Sequence, residues 1–139
     1  MKCVCVIDGQ GGGIGAAMIK SLKAIYGESI ELIGLGANAI ATAQMHKAGA
    51  NKVVSGEEAI CRTVSQADCI IGPVGITWAK AMMGEIAPQM AEAVMASTAR
   101  KILLPLNQEN VFILGLANES FQQMMETSIQ MTMEAIENV

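Results

Sequence analysis

Aromatic side chains are nearly missing from this chain, which has one Trp, one Tyr and two Phe among 139 residues. Its core must therefore be aliphatic, filled by Ile, Leu, Val, Ala and eleven Met. Charge is scarce as well. Only 16% of residues are charged and 52% are hydrophobic, a balance that excludes a disordered chain. No apolar run reaches the about 18 residues that span a bilayer. Nor does the start read as a secretory signal, because Asp8 and a run of glycines interrupt it. A soluble cytoplasmic protein with no membrane partner is expected. The length suits one domain over residues 1–139.

Positive charge is absent from the last quarter. No Lys or Arg follows Lys101, while Glu109, Glu119, Glu126, Glu134 and Glu137 do, so residues 102–139 carry −5 and the remainder +1. Nucleic-acid binding needs a basic footprint that releases counterions, and none is visible. The acidic stretch reads as a solvated helix face. Ligand sets for metals are lacking too. Cys3 and Cys5 fall on one face of a strand, but Cys61, Cys69 and the single His46 are isolated, whereas zinc takes four ligands at suitable spacing. No metal site is expected, and the cysteines read as small buried hydrophobes in a reducing compartment.

What is present is an alternation of apolar runs and amphipathic stretches. Residues 2–7 form a continuous apolar run, the pattern of a strand covered on both faces. A helix opens after the glycines, with Met18, Ile19, Leu22, Ile25 and Tyr26 on one stripe and Gly27 as its stop. A second strand is expected at 31–35, then a helix over 39–48 capped by Asn38. A short strand at 52–54 precedes Ser55-Gly56-Glu57-Glu58, which reads as a capping box. A fourth strand at 69–71 ends in Gly72-Pro73-Val74-Gly75. Pro88 splits the next connection into helices over 76–84 and 88–98. Strands follow at 101–105 and 111–116, then a helix from Asn118 to about Asn138. The 105–111 connection is too short for a parallel crossover, so the sixth strand should run antiparallel. The whole predicts a doubly wound, Rossmann-like α/β sheet of order 3-2-1-4-5-6.

The loop after the first strand, Asp8-Gly9-Gln10-Gly11-Gly12-Gly13-Ile14-Gly15, carries the main chemical signal. Backbone N–H groups at a helix N-terminus form an anion site. The G-x-G-x-x-G fingerprint fails at Ile14 or Ala16, and the phosphate-loop Lys-Ser/Thr pair is replaced by Ala16-Ala17. The spacing Gly9-x-x-x-Gly13-Ile14-Gly15 resembles the cofactor loop of short-chain dehydrogenases. That resemblance implies that Gly9 makes the turn, Gly13 admits a pyrophosphate and Gly15 lets helix pack on strand. It does not extend to the activity. The Tyr-x-x-x-Lys pair is missing, and Leu35-Gly36-Ala37-Asn38 stands where an acidic residue would read the ribose. A plain strand-to-helix turn, with Asp8 bonding to it, is the other reading of the loop. Four glycines in residues 11–15 exceed what a turn needs, at about 0.5–1 kcal/mol of entropy each.

Along its full length the chain resembles a family of small bacterial proteins of unknown function. The shared segments are V-I-D-G-Q-G-G-G-I-G at 6–15, G-x-N-A-x-A-T-x-x-M-x-K-A-G-A at 36–50, I-I-G-P-x-G-I at 70–76 and G-E-I-x-P-x-M-A at 84–91, and the family's I-P-L-N reads L-P-L-N here at 104–107. The resemblance implies a Rossmann-like fold and no particular activity.

In such sheets ligands bind beyond the carboxyl ends of the strands, where the strand order reverses. The expected site combines the 8–15 loop with Gly36, Asn38, Gly72, Pro73, Gly75 and Asn107, a shallow pocket made mostly of backbone. A nucleotide or dinucleotide such as NAD(P) is the expected ligand. The alternatives are an assembly or regulatory subunit without nucleotide, and an enzyme using Asp8 with a metal or phosphate substrate. Glu85, in the helix break, either reaches this pocket or faces solvent. Trp78, Met82, Met83, Met90 and Met95, with Phe121, Met125, Ile129, Met133 and Ile136 as one helical row and 124, 131 and 135 beside it, suggest a second buried surface and a homo-oligomer.

Overall fold

The structure is a computed structural model and describes residues 1–106, 110–115 and 120–138. Five strands, β1 (Cys3–Asp8), β2 (Glu31–Gly36), β3 (Lys52–Ser55), β4 (Cys69–Pro73) and β5 (Arg100–Leu104), form one parallel sheet of order β3-β2-β1-β4-β5. Helices α1 (Gly13–Tyr26), α2 (Ala39–Lys47), α3 (Glu57–Val64), α4 (Pro88–Ala96) and α5 (Phe121–Asn138) cover its two faces.

Strand alternation sorts the apolar residues into two layers. Cys5 and Ile7 of β1 face Ile60 and Val64 of α3 and Met90 and Val94 of α4. Val4 and Val6 face Met18, Ile19 and Leu22 of α1, Met45 of α2 and Ala135 of α5. Both faces of β1 are buried, which is why its sequence is apolar without alternation. Cys69 lies in the second layer, and burial pushes its thiol up to about 11. All four cysteines are free.

The sheet order agrees with expectation for the first five strands. The antiparallel sixth strand does not form among the described residues. Val111 makes only an isolated bridge. Phe112 and Leu114 are 78% and 93% exposed, so no burial supports a ladder there. Left-handed Asn110 and Gly115 also break the run. The expected start at Asn118 lies outside the described residues.

The helix expected over 76–84 is replaced by a 3-10 turn, Val74–Thr77, and a closed loop. Lys80 N–H donates to the Ile86 carbonyl at 2.6 Å, and Lys80, Met82 and Met83 are left-handed. Burial of Ile76, Met82 and Ile86 in the first layer offsets that strain. The capping box is also displaced. Gly56 caps α3 without a side-chain bond, and Ser55 ends β3 with its hydroxyl toward the Gly36 carbonyl.

Helix α5 turns a different row inward from the one expected. Ser128, Thr132 and Ala135 are its buried residues, with Met125, Ile129 and Ile136 flanking them. Small side chains let the helix approach closely, and Thr132 satisfies its hydroxyl on the Ser128 carbonyl at 2.7 Å. Phe121 and Met131 stay exposed.

Close approach explains Gly72. A Cβ there would stand 2.5 Å from the Ile7 carbonyl oxygen. Gly72→Ala should therefore destabilise the fold by about 1–3 kcal/mol. Urea unfolding of the variant checks this, and an unchanged midpoint would remove the steric explanation.

Candidate functional site

The carboxyl ends of β1, β2 and β4 meet at the reversal of strand order, where the parallel register sets Asp8 beside Gly36 and Val6 beside Ile71. Asp8 organises the loop that follows. It is 4% exposed. Its Oδ1 accepts from Gly9 N–H at 2.8 Å and its Oδ2 from Gly15 N–H at 2.7 Å. The Ile14 N–H also donates to this carboxyl group. An internal carboxylate thus occupies part of the α1 N-terminus, where orphan N–H groups and the helix dipole favour an anion. Burial raises the Asp8 pKa above its ordinary value, against the lowering effect of the three N–H donors, and the charge of Glu85 adds to the rise.

The loop glycines divide by what they touch. Gly12 is left-handed at φ 74°, and a Cβ there would lie 2.7 Å from the Ala41 Cα. At Gly15 a Cβ would lie 2.9 Å from the Asp8 Cβ, where α1 packs on β1. Gly36 is held by close contact with the Thr42 backbone. Gly11 and Gly13 are different. Both are exposed, neither is left-handed, and a Cβ on either would meet no atom of the described residues within 4 Å beyond its own chain neighbours and helix backbone. Among the described residues, no acceptor is bonded to the N–H of Gly11 or Gly13.

Asn38 and Glu85 close the other side. Asn38 caps α2, its Oδ1 accepting from Ala41 N–H at 2.8 Å. Its Nδ2 donates to the Gln10 carbonyl at 2.9 Å and to Glu85 Oε2 at 2.7 Å. Glu85 Oε1 accepts from the N–H of left-handed Gln10 at 2.6 Å. The loop between β4 and α4 therefore reaches over the β1 loop to the end of β2. Met82 joins the site to a cavity of about 300 Å³. It lines that cavity with Trp78, Lys80, Met83, Asn110 and Val111, and its sulfur stands 2.7 Å from where a Gly9 Cβ would be.

Of the expected site residues, Asp8 to Gly15, Gly36 and Asn38 are together in space. Gly72 and Pro73 end the neighbouring β4, and Gly75 lies buried in the turn beyond it. Asn107 lies outside the described residues. Glu85 joins the site although the sequence left its direction open. The G-E-I-x-P segment that holds it was the available signal. His46 is exposed on α2. No cluster of three or more His, Cys, Asp or Glu suited to a metal occurs among the described residues. No described helix is long and apolar enough to cross a membrane.

A parallel 3-2-1-4-5 sheet with a glycine loop at its reversal point defines a doubly wound, Rossmann-like α/β domain. The chain belongs to the family described as a domain of unknown function, DUF3842, whose model matches residues 3–137. No curated protein matches it significantly. Among solved structures it is similar to a dodecameric FMN-dependent Ubix-like decarboxylase from Escherichia coli O157:H7. The identity is 16% and the TM-score 0.49, covering 97% of this chain and 76% of that one. A probable oxidoreductase from Mycobacterium abscessus aligns at 21% identity and TM-score 0.50, over 99% of this chain and 41% of its own. A nucleoside-diphosphate-sugar epimerase from Pseudomonas aeruginosa aligns at 13% and 0.50, over 99% and 49%. The chain thus spans less than half the length of the latter two, and the likeness concerns the fold alone.

The raised Asp8 pKa has a consequence for stability. Above the ordinary carboxyl value of 3.8, the folded chain keeps a proton at this site that the unfolded chain has released. The stabilisation is fully present below that value and is lost as pH rises through the raised one. Urea unfolding from about pH 3.5 to about pH 7 should show the wild type losing stability relative to Asp8→Asn, whose amide stays neutral. A pH-independent difference would contradict the shift.

Proposed function

We propose that this domain binds a nucleotide or dinucleotide of the NAD(P) type, with its phosphate against the N–H groups of Gly11 and Gly13. The observation that carries the reading is that the described residues give no steric or conformational reason for glycine at these two positions. Glycine in regular structure is disfavoured by about 0.5–1 kcal/mol against alanine, and close approach of a ligand to backbone is its common use. The donors at Ile14 and Gly15 serve Asp8 instead, so the phosphate sits at the outer rim of the loop. This geometry favours binding over the Asp8 enzyme reading. Both Asp8 oxygens are engaged by backbone N–H groups, which suits a structural anion better than a nucleophile.

Calorimetric titration with NAD, NADP and ADP, together with thermal unfolding, tests the proposal. Ligand at about 100 times its dissociation constant adds about 2.7 kcal/mol. Gly13→Ala separates binding from folding, because its methyl enters open space. The variant should be as stable as the wild type or up to about 1 kcal/mol more so, while affinity falls at least about tenfold. If no nucleotide binds, or Gly13→Ala binds as well as wild type, the phosphate reading fails. An assembly subunit then becomes the better description, with exposed Phe112, Leu114 and Phe121 offering a surface.

A further inference from the structure

Nucleotide domains of this architecture usually read the adenosine ribose with a carboxylate at the end of the second strand. In this chain β2 runs out at Gly36, followed by Ala37 and Asn38, and no carboxylate lies at that point of the sequence. The structure brings one there from another element. Glu85 arrives on the connection between β4 and α4 and binds Asn38 Nδ2 at 2.7 Å through Oε2 and Gln10 N–H at 2.6 Å through Oε1. Asn38 is itself fixed, because its other amide atom caps α2. Gln10 is held by its own contact with Asn38. The carboxylate is therefore clamped at both oxygens, between the glycine loop and the end of β2.

Each carboxylate oxygen has two acceptor sites, and the contacts among the described residues use one on each. The remaining pair suits two adjacent hydroxyl donors, which is the chemistry of a ribose 2′,3′-diol. A 2′-phosphate at the same place would meet a like charge. The buried carboxyl of Asp8, already influenced by Glu85, would add to that repulsion.

We infer that Glu85 is the ribose-reading carboxylate of this domain, supplied by the β4–α4 connection in place of the end of β2, and that it selects nucleotides with a free 2′-hydroxyl over 2′-phosphorylated ones. This rests on the nucleotide reading of the glycine loop. The loop geometry explains how a residue far along the chain takes the role. Left-handed Lys80, Met82 and Met83 fold the segment back, and buried Met82 and Ile86 on either side of Glu85 anchor it.

Titration of NAD and of NADP into the wild type, Glu85→Gln and Glu85→Ala decides the matter, with circular dichroism confirming that each variant is folded. The wild type should prefer NAD by at least about tenfold. Both substitutions should bring the ratio to within about threefold of one, mainly by weakening NAD and relieving the repulsion of NADP. Gly13→Ala, by contrast, should weaken both ligands alike and leave the ratio unchanged. A wild type without preference, or variants that retain it, overturns the role of Glu85 while leaving phosphate binding at the loop intact. Binding of neither dinucleotide overturns the nucleotide reading and this inference with it.

Discussion

The carboxylate of Asp8 at the start of α1 is the contact on which the candidate site of this molecule depends. A helix N-terminus leaves N–H groups without partners, and here a buried side chain from the preceding strand supplies the acceptor. The same carboxylate bonds to Gly9 and so sets the first turn of the loop. Burial and the helix terminus act in opposite directions on its charge, and burial prevails. The result is a loop whose inner N–H groups are committed to Asp8, while those of exposed Gly11 and Gly13 have no acceptor among the described residues.

That division gives the glycines separate meanings. Gly12 answers to a left-handed backbone and to Ala41, Gly15 to the packing of α1 on β1, and Gly36 and Gly72 to neighbouring backbone. Gly11 and Gly13 answer to nothing among the described residues. A glycine-rich loop is therefore too coarse a description. The residues that shape the turn and the residues that leave room beside it are interleaved, and only the contacts of each position tell them apart.

The β4–α4 connection shows a second constraint at work. Its residues have helical spacing, yet burial of Ile76, Met82 and Ile86 outweighs local propensity and folds the segment into left-handed turns. This delivers Glu85 to the end of β2 and leaves Lys80 and Trp78 beside an open cavity. Local strain and placement of a polar side chain commonly coincide at binding sites.

The sequence by itself determined the fold class, the five-strand order, the loop after β1 and the cap at Asn38. The class, the loop and the cap rest on short-range chemistry (apolar runs, glycine spacing and a capping side chain), and the strand order followed from the general topology of doubly wound sheets. It did not determine the sixth strand, because an apolar run such as 111–115 becomes a strand only where a sheet edge buries it, and here Phe112 and Leu114 remain in solvent. Nor did it show the inward row of α5, where the small Ser128, Thr132 and Ala135 win over larger neighbours by allowing closer approach. The capping box at Ser55 was consistent with its residues but lost to pairing of β3, which kept Ser55 in the strand. The meeting of Glu85, Asn38 and Gln10 was decided by tertiary structure alone. These residues are 28 to 75 positions apart, and only the crossing of two loops over the sheet's reversal point brings their polar groups within bonding distance.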